Sequence, residues 1–174
     1  MNPVRNTKAI KGEGKISNGV KRIVIASDHA GFVLKEKLKS FLENKNFKVK
    51  DLGAYSKERS DYPVTAYSLA KEISQGQFKR GILICKTGIG NSIVANRLPR
   101  VRAALCYNIK AARLSREHND SNILVLGSSF VNPGLAKRIL NIWLNTQFKR
   151  GRHQRRLNQL KKIERGLNSS FASL

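Results

Sequence analysis

Four groups of polar residues, far apart in the chain, carry side chains that can move protons or hold anions. The first lies in Gly81-Ile82-Leu83-Ile84-Cys85-Lys86-Thr87-Gly88-Ile89-Gly90-Asn91-Ser92, an apolar run that ends on a cysteine and breaks into a glycine-punctuated turn. A thiol just ahead of a helix amino terminus has its thiolate favoured, so Cys85 is a candidate base or nucleophile. The turn itself, Thr87 with the backbone of Gly88, Ile89, Gly90 and Asn91, suits an oxyanion or a phosphate, because helix amino ends present free N–H groups and a partial positive charge. The second group is Asp28-His29, and the third is His118-Asn119 between Glu117 and Asp120. The fourth is Arg152 and Arg156, spaced to share one helical face and so to clamp a phosphate together.

Each group also has a plainer account. A lone cysteine is more often a small buried hydrophobe than a reactive thiol. Thr87-Gly88-Ile89-Gly90 serves equally as a tight strand-to-helix turn. It is a poor dinucleotide fingerprint, since Ile93 stands where a third glycine is needed and no acidic residue is placed as a ribose clamp. Arg152 and Arg156 also read as a solvated basic helix. The histidines favour function: His29, His118 and His153 all fall at expected loop or helix ends and none on an apolar stripe. Cys106 has no comparable setting and is assigned to packing.

The elements that must position these residues alternate regularly. Residues 21–27 are β-branched and then small, as in a buried strand. Phe32, Leu34, Leu38, Phe41 and Leu42 recur at helical spacing. Residues 47–52 alternate as a second strand, and a polar loop leads to a helix over 64–77. Strands follow at 81–85, 101–106 and 123–127, with helices at 89–97, 111–116 and 133–148, the last with proline in its first turn. A final helix over 152–167 carries Leu157, Leu160, Ile163 and Leu167 on one stripe. Five strands alternating with helices predict an α/β, doubly wound, three-layer fold around a parallel sheet. Ligands in such sheets bind outside the carboxyl ends of the strands. Asp28, His29, Cys85, Thr87, Asn108, Ser128 and Ser129 meet that condition. His118 and Asn119, just before the fifth strand, fall at the opposite edge unless the helix is short or the site belongs to a partner subunit.

Bulk properties narrow the class. The chain has 174 residues, 40% of them hydrophobic. That is enough for a single domain with a real core. It is expected to comprise a disordered basic leader over 1–20, one domain over 21–167 and a tail over 168–174. No apolar run approaches the roughly 20 residues a membrane span needs, and the amino terminus lacks a secretory apolar region, so a cytoplasmic location is expected. The cysteines have neither zinc-site nor disulfide spacing. Net charge is +23, which suggests nucleic acid, but residues 1–22 hold six basic side chains against one acidic and residues 146–174 eight against one. About half the excess therefore lies at the two ends, where charge is solvated at little cost, and no aromatic-rich binding strand accompanies it. Nucleic acid is not the expected partner.

Five segments, in order over residues 21–165, resemble the type B ribose-5-phosphate isomerases and the related galactose-6-phosphate isomerase subunits. They are Ser27-Asp28-His29-Ala30-Gly31; Glu58-Arg59-Ser60-Asp61-Tyr62-Pro63; Ile84 to Ile93 around Cys85; Leu114-Ser115-Arg116-Glu117-His118-Asn119-Asp120-Ser121-Asn122; and Gly151-Arg152-His153-Gln154. The resemblance implies a Rossmann-like fold and an aldose–ketose isomerase of the pentose phosphate pathway, interconverting ribose 5-phosphate and ribulose 5-phosphate through a cis-enediolate without metal or cofactor. It implies His118, with Asp28 nearby, as the acid/base that opens the sugar ring, and Cys85 as the base that carries a proton between C2 and C1. Thr87 and the N–H groups of Gly88, Ile89, Gly90 and Asn91 would stabilise the enediolate, Asn119 would bind a sugar hydroxyl, and Arg152 and Arg156 with His29 would hold the phosphate. It further implies a homodimer, or a tetramer, with the site between subunits and the C-terminal helix reaching over the neighbour.

Two positions depart from the family pattern. Lys86 replaces the usual glycine between cysteine and threonine, and Ser129 replaces the usual phosphate-contacting arginine after the fifth strand. Lys86 is expected to restore the missing cation to the substrate phosphate; drift in a weakened or repurposed enzyme is the plainer alternative. Two other functions remain open from sequence. One is an isomerase of a hexose 6-phosphate such as allose or galactose 6-phosphate, and the other a catalytically weak basic homologue that binds RNA through its ends.

Overall fold

The computed structural model describes residues 21–171, with side chains described through residue 167. The expected basic leader lies outside the described residues. The elements are β1 (Lys21–Ser27), α1 (Phe32–Glu43), β2 (Phe47–Asp51), α2 (Tyr62–Ser74), β3 (Gly81–Cys85), α3 (Ile89–Ala95), β4 (Ala103–Leu105), α4 (Ile109–Asn119), β5 (Ile123–Gly127), α5 (Pro133–Asn145) and α6 (Arg152–Phe171). All five strands are parallel and ordered β2-β1-β3-β5-β4. β3 and β5, in the middle, are buried at every residue, whereas edge strand β2 alternates between half-buried and exposed residues. That contrast is the reason the central strands read as unbroken apolar runs.

Strand side chains alternate between faces, so each central strand feeds two cores. Ile23, Ile25, Ile82, Ile84, Leu124 and Leu126 meet Leu34, Leu38 and Leu42 of α1, Ala112 of α4, and Ile139, Leu140 and Trp143 of α5. Val24, Ala26, Leu83, Ile123 and Val125 meet Ala66, Leu69, Ala70 and Ile73 of α2 and Ala95 of α3. Helices therefore cover both faces of the sheet, the three-layer α/β arrangement the alternation predicts.

Boundaries differ from expectation where capping decides them. α2 begins at Tyr62 rather than 64. Pro63 there occupies a first-turn position, where no N–H is required. α4 begins at Ile109 because the Asn108 side chain accepts the Ala111 N–H at 2.8 Å, a capping bond that satisfies an otherwise orphaned donor. It runs on to Asn119, ending only where Asp120 takes a left-handed φ of 45°. β4 is shorter than the expected 101–106, and Asn96 replaces a missing edge neighbour by pairing with both N–H and C=O of Ala103. α3 and α5 stop at Ala95 and Asn145, short of the expected 97 and 148. α6 extends past 167 to Phe171.

The connection β1–α1–β2 runs to one side of β1, and the chain then crosses to place β3 on the other. The carboxyl ends of β1 and β3 are consequently neighbours at a reversal of strand order, where open α/β sheets form their ligand crevice.

Candidate active site

Cys85 ends β3 at that crevice. Its Sγ accepts the Gly88 N–H at 3.0 Å, and it is 4% exposed. The turn can close this tightly because Gly88 has a φ of +84°, and because a Cβ there would strike Leu105 and the backbone of β5. Such a left-handed conformation costs glycine little. The Thr87 Oγ1 accepts the Ile89 N–H at 3.3 Å, and the Tyr107 hydroxyl donates to the Thr87 carbonyl at 3.3 Å. Of the N–H groups expected to form an oxyanion cradle, that of Gly88 is thus directed at the thiol and that of Ile89 at Thr87. Those of Gly90 and Asn91 have no partner among the described residues. The Asn91 side chain, fully buried, leaves both its oxygen and its nitrogen without a protein partner.

Asp28 follows β1, whose last residue Ser27 is paired with Ile84, and so lies next to Cys85 across the sheet. Its N–H donates to the Ile84 carbonyl at 3.2 Å and its Oδ1 accepts the Gly31 N–H at 2.9 Å, which folds the turn back over β3. Gly31 lies so close that a Cβ would sit 2.6 Å from the Ile84 carbonyl oxygen. Next to it His29 is pinned to the loop before α2: its N–H donates to Ser60 Oγ at 3.1 Å, and its Nδ1 lies 3.2 Å from the Ser60 nitrogen. The turn after β5 closes the rim. Ser128 donates its N–H to the Cys85 carbonyl at 2.8 Å and its hydroxyl to the Ala30 carbonyl at 2.9 Å, while Ser129 N–H donates to the Lys86 carbonyl at 3.0 Å. Lys86 and Ser129 are therefore neighbours across β3 and β5. Lys86 is exposed and has no carboxylate partner among the described residues.

The other half of the expected constellation is elsewhere. His118 and Asn119 close α4 ahead of β5, at the amino-terminal edge of the sheet. Ile123 is paired to Gly81 and Gly127 to Cys85, so the length of β5 separates them from the thiol. That length is about 13 Å of strand, at roughly 3.3 Å per residue. His118 stacks on His153 of α6, ring centroids 4.3 Å apart and planes 8° from parallel. Lys149 bridges Glu117 at 2.9 Å and holds that carboxyl below its usual range. Burial, then the neighbouring charges of His118, Arg152, Arg156 and Lys149, lowers the His153 pKa. Arg152 and Arg156 are exposed and have no carboxylate partner among the described residues. One chain thus carries a thiol with its cradle at one edge and a histidine–arginine cluster at the other.

Comparison with known proteins decides the family. A family model described as Ribose/Galactose Isomerase matches residues 23–160. The chain is 42% identical to the Escherichia coli ribose-5-phosphate isomerase B over 149 residues, covering 86% of this chain and all of that protein. This chain belongs to the ribose/galactose isomerase family. The solved ribose-5-phosphate isomerase B of Clostridium thermocellum superposes with a TM-score of 0.82 at 43% identity, over 84% of this chain and 99% of that one. That of Mycoplasma genitalium, solved with bound ribulose 5-phosphate, gives 0.80 at 39% identity over 83% and 96%.

Three further residues make contacts at the crevice. Ser60 orients His29, Tyr107 reaches the Thr87 carbonyl, and Ser128 ties the turns after β1 and β3 together. The first lies inside the segment 58–63 that matches the family pattern, and the other two follow the fourth and fifth strands, at the carboxyl ends where ligand-binding residues are expected. Cys106 behaves as expected for packing, its thiol pushed up to about 11 by burial. Among the described residues no group of three or more His, Cys, Asp and Glu is placed to hold a metal ion, and no helix is long and apolar enough to cross a membrane.

Proposed function

We propose that this protein is an aldose–ketose isomerase that interconverts D-ribose 5-phosphate and D-ribulose 5-phosphate, a step of the pentose phosphate pathway. The observation that carries the reading is the Cys85 thiol, held at the strand-order reversal by the Gly88 N–H at 3.0 Å with Asp28 on the adjoining strand end. The chemistry follows from those positions. The ring-opened aldose has an acidic C2–H beside its C1 carbonyl. Cys85, as thiolate, removes that proton to give the cis-enediolate and returns it to C1, while the O2 hydroxyl proton passes to O1. Negative charge develops on the sugar oxygens, and the Thr87 hydroxyl with the free N–H groups of Gly90 and Asn91 is the set of donors available to it. Ring opening needs a separate acid/base, for which His118, with Asp28 near the sugar, is the candidate. Asn119 binds a sugar hydroxyl, and Arg152, Arg156 and His29 hold the phosphate.

Since His118, Asn119, Arg152 and Arg156 sit at the edge opposite Cys85, a complete site requires a second copy of the chain. Support for a homodimer also comes from α6, whose Leu160, Ile163 and Leu167 are 40%, 59% and 55% exposed. Apolar side chains exposed along one stripe offer a surface for burial against a partner. The adjacency of Lys86 and Ser129 supports Lys86 as the cation that meets the substrate phosphate from the thiol side. Direct assay of isomerisation across pentose and hexose phosphates tests the reading. Turnover of ribose 5-phosphate is expected, with Cys85→Ala slower by about 10²–10⁴-fold, as for loss of a general base. A Cys85→Ala protein as fast as wild type would sink the mechanism.

A further inference from the structure

At the amino-terminal edge of the sheet, away from the thiol, a cavity of about 810 Å³ opens between the starts of β1, β2 and β3 and the ends of α2 and α5. Its volume lies in the range of small-molecule sites. Lys21, Arg22, Lys45, Lys79 and Arg80 line it, and among the described residues no carboxylate does. It shares no residue with either the crevice at Cys85 or the cluster at His118 and Arg152.

We propose that this cavity binds a small ligand carrying two or more phosphate groups. None of its five cationic side chains is ion-paired among the described residues, although the chain forms seven bridges elsewhere. Five like charges facing one concavity repel one another within a screening length of about 8 Å, and a multivalent anion relieves that repulsion in a way a single phosphate cannot. Four of the cations lie over aromatic rings, Lys21 over Phe47 at 5.7 Å and Lys45 over Phe41 at 5.1 Å, and the two arginines are held most closely. Arg80 donates to the Leu144 carbonyl at 2.5 Å and lies over the Trp143 ring at 5.4 Å, and Arg22 lies over the Phe78 ring at 4.6 Å. Burial, and then the charge of Arg116, work against the Arg80 cation, so a bound anion would stabilise it. The carboxyl ends of α1, α2 and α5 face the same edge and also favour cations. Their partial charges, about −0.5 each, are too small to neutralise five full ones. The cavity's two aromatic side chains, Phe47 and Phe78, lie under Lys21 and Arg22 at 5.7 Å and 4.6 Å, which favours recognition of phosphates over stacking of a base.

The test is calorimetric titration of the full-length chain with tripolyphosphate and, separately, with ATP. Both are run with ribose 5-phosphate in excess, so that any substrate phosphate site is already occupied. Saturable binding of one ligand per chain is expected, weakened at least about tenfold in a variant combining Lys21→Gln, Lys45→Gln and Lys79→Gln. A control variant, Lys37→Gln with Lys71→Gln and Lys110→Gln, loses the same charge from exposed positions outside the cavity and should bind nearly as wild type. Equal affinity for the two ligands means that phosphates alone are read; tighter ATP binding means that the nucleoside also finds a seat. Absence of saturable binding, or equal weakening in both variants, overturns the proposal and leaves the cations as partners of the helix ends. Binding of a single-stranded RNA that the cavity variant abolishes, with no binding of either small ligand, overturns it in favour of a polymer surface. The titration measures no turnover, so its outcome is separate from that of the isomerase reading.

Discussion

Subunit complementation is the sharpest test of the proposed homodimer and its shared site. Cys85 ends β3 and His118 precedes β5, and those strands are paired in register from Gly81↔Ile123 to Cys85↔Gly127. About 13 Å of strand thus separates them along the sheet, several times the reach of a proton transfer. If one substrate molecule needs both groups, they must come from two chains. Cys85→Ala and His118→Ala homodimers should then each be nearly inactive, because each lacks one group at both sites. Mixed dimers regain one intact site, formed by the unaltered Cys85 of one chain and the unaltered His118 of the other, while their second site lacks both. Random exchange makes half the dimers mixed, so activity should recover to about one quarter of wild type for a twofold-symmetric pair. The parents should lie about 10²–10⁴-fold below wild type, which keeps the background small. Two affinity tags allow the mixed species to be isolated and its composition verified by native mass spectrometry, with ketose formation as the readout. Purified mixed dimers no more active than their parents would refute the shared site.

Three further outcomes follow from individual contacts. Replacing Lys86 by glycine should raise KM for ribose 5-phosphate several-fold with little change in kcat, since a phosphate contact contributes to binding rather than to the proton transfer; an unchanged KM rules out its role as the compensating cation. Gly31→Ala places a Cβ 2.6 Å from the Ile84 carbonyl oxygen, a backbone atom that cannot swing aside. The expected cost is about 1–3 kcal/mol, read by calorimetry as a fall of about 2–4 °C per kcal/mol, and an undiminished Tm would contradict the close approach. His153 has its pKa lowered from 6.5 by burial and neighbouring cations. The unfolded chain therefore binds more protons than the folded one in that range. The contribution of His153 to stability is complete above about pH 6.5 and is lost as pH falls through the lower folded value. Denaturant titrations from neutral to mildly acidic pH should show a shallower decline for His153→Gln than for wild type.

Much of this protein is legible in its residues taken in order. Unbroken apolar runs such as Gly81-Ile82-Leu83-Ile84-Cys85 belong to strands buried on both faces, and their alternation with amphipathic helices fixes a parallel three-layer sheet, because periodicity and burial are local properties. The groups proposed to do chemistry were picked out for a related reason. Cys85, Asp28, His118 and Arg152 stand at element ends, where the alternation of strands and helices puts them. Ends of elements were less legible: α4 gained residues at both ends through the Asn108 cap and the left-handed Asp120, and β4 begins only after Arg102, whose N–H the Asn122 side chain accepts. Which strands are neighbours is not a local property at all. Only the folded sheet, by placing β3 against β1, brings Asp28 to Cys85, and the same order leaves His118 and the arginines at the far edge. The convergence of Lys21, Lys45 and Lys79, scattered in sequence, on one cavity is likewise a product of strand order, since the amino ends of β1, β2 and β3 meet only when the sheet closes.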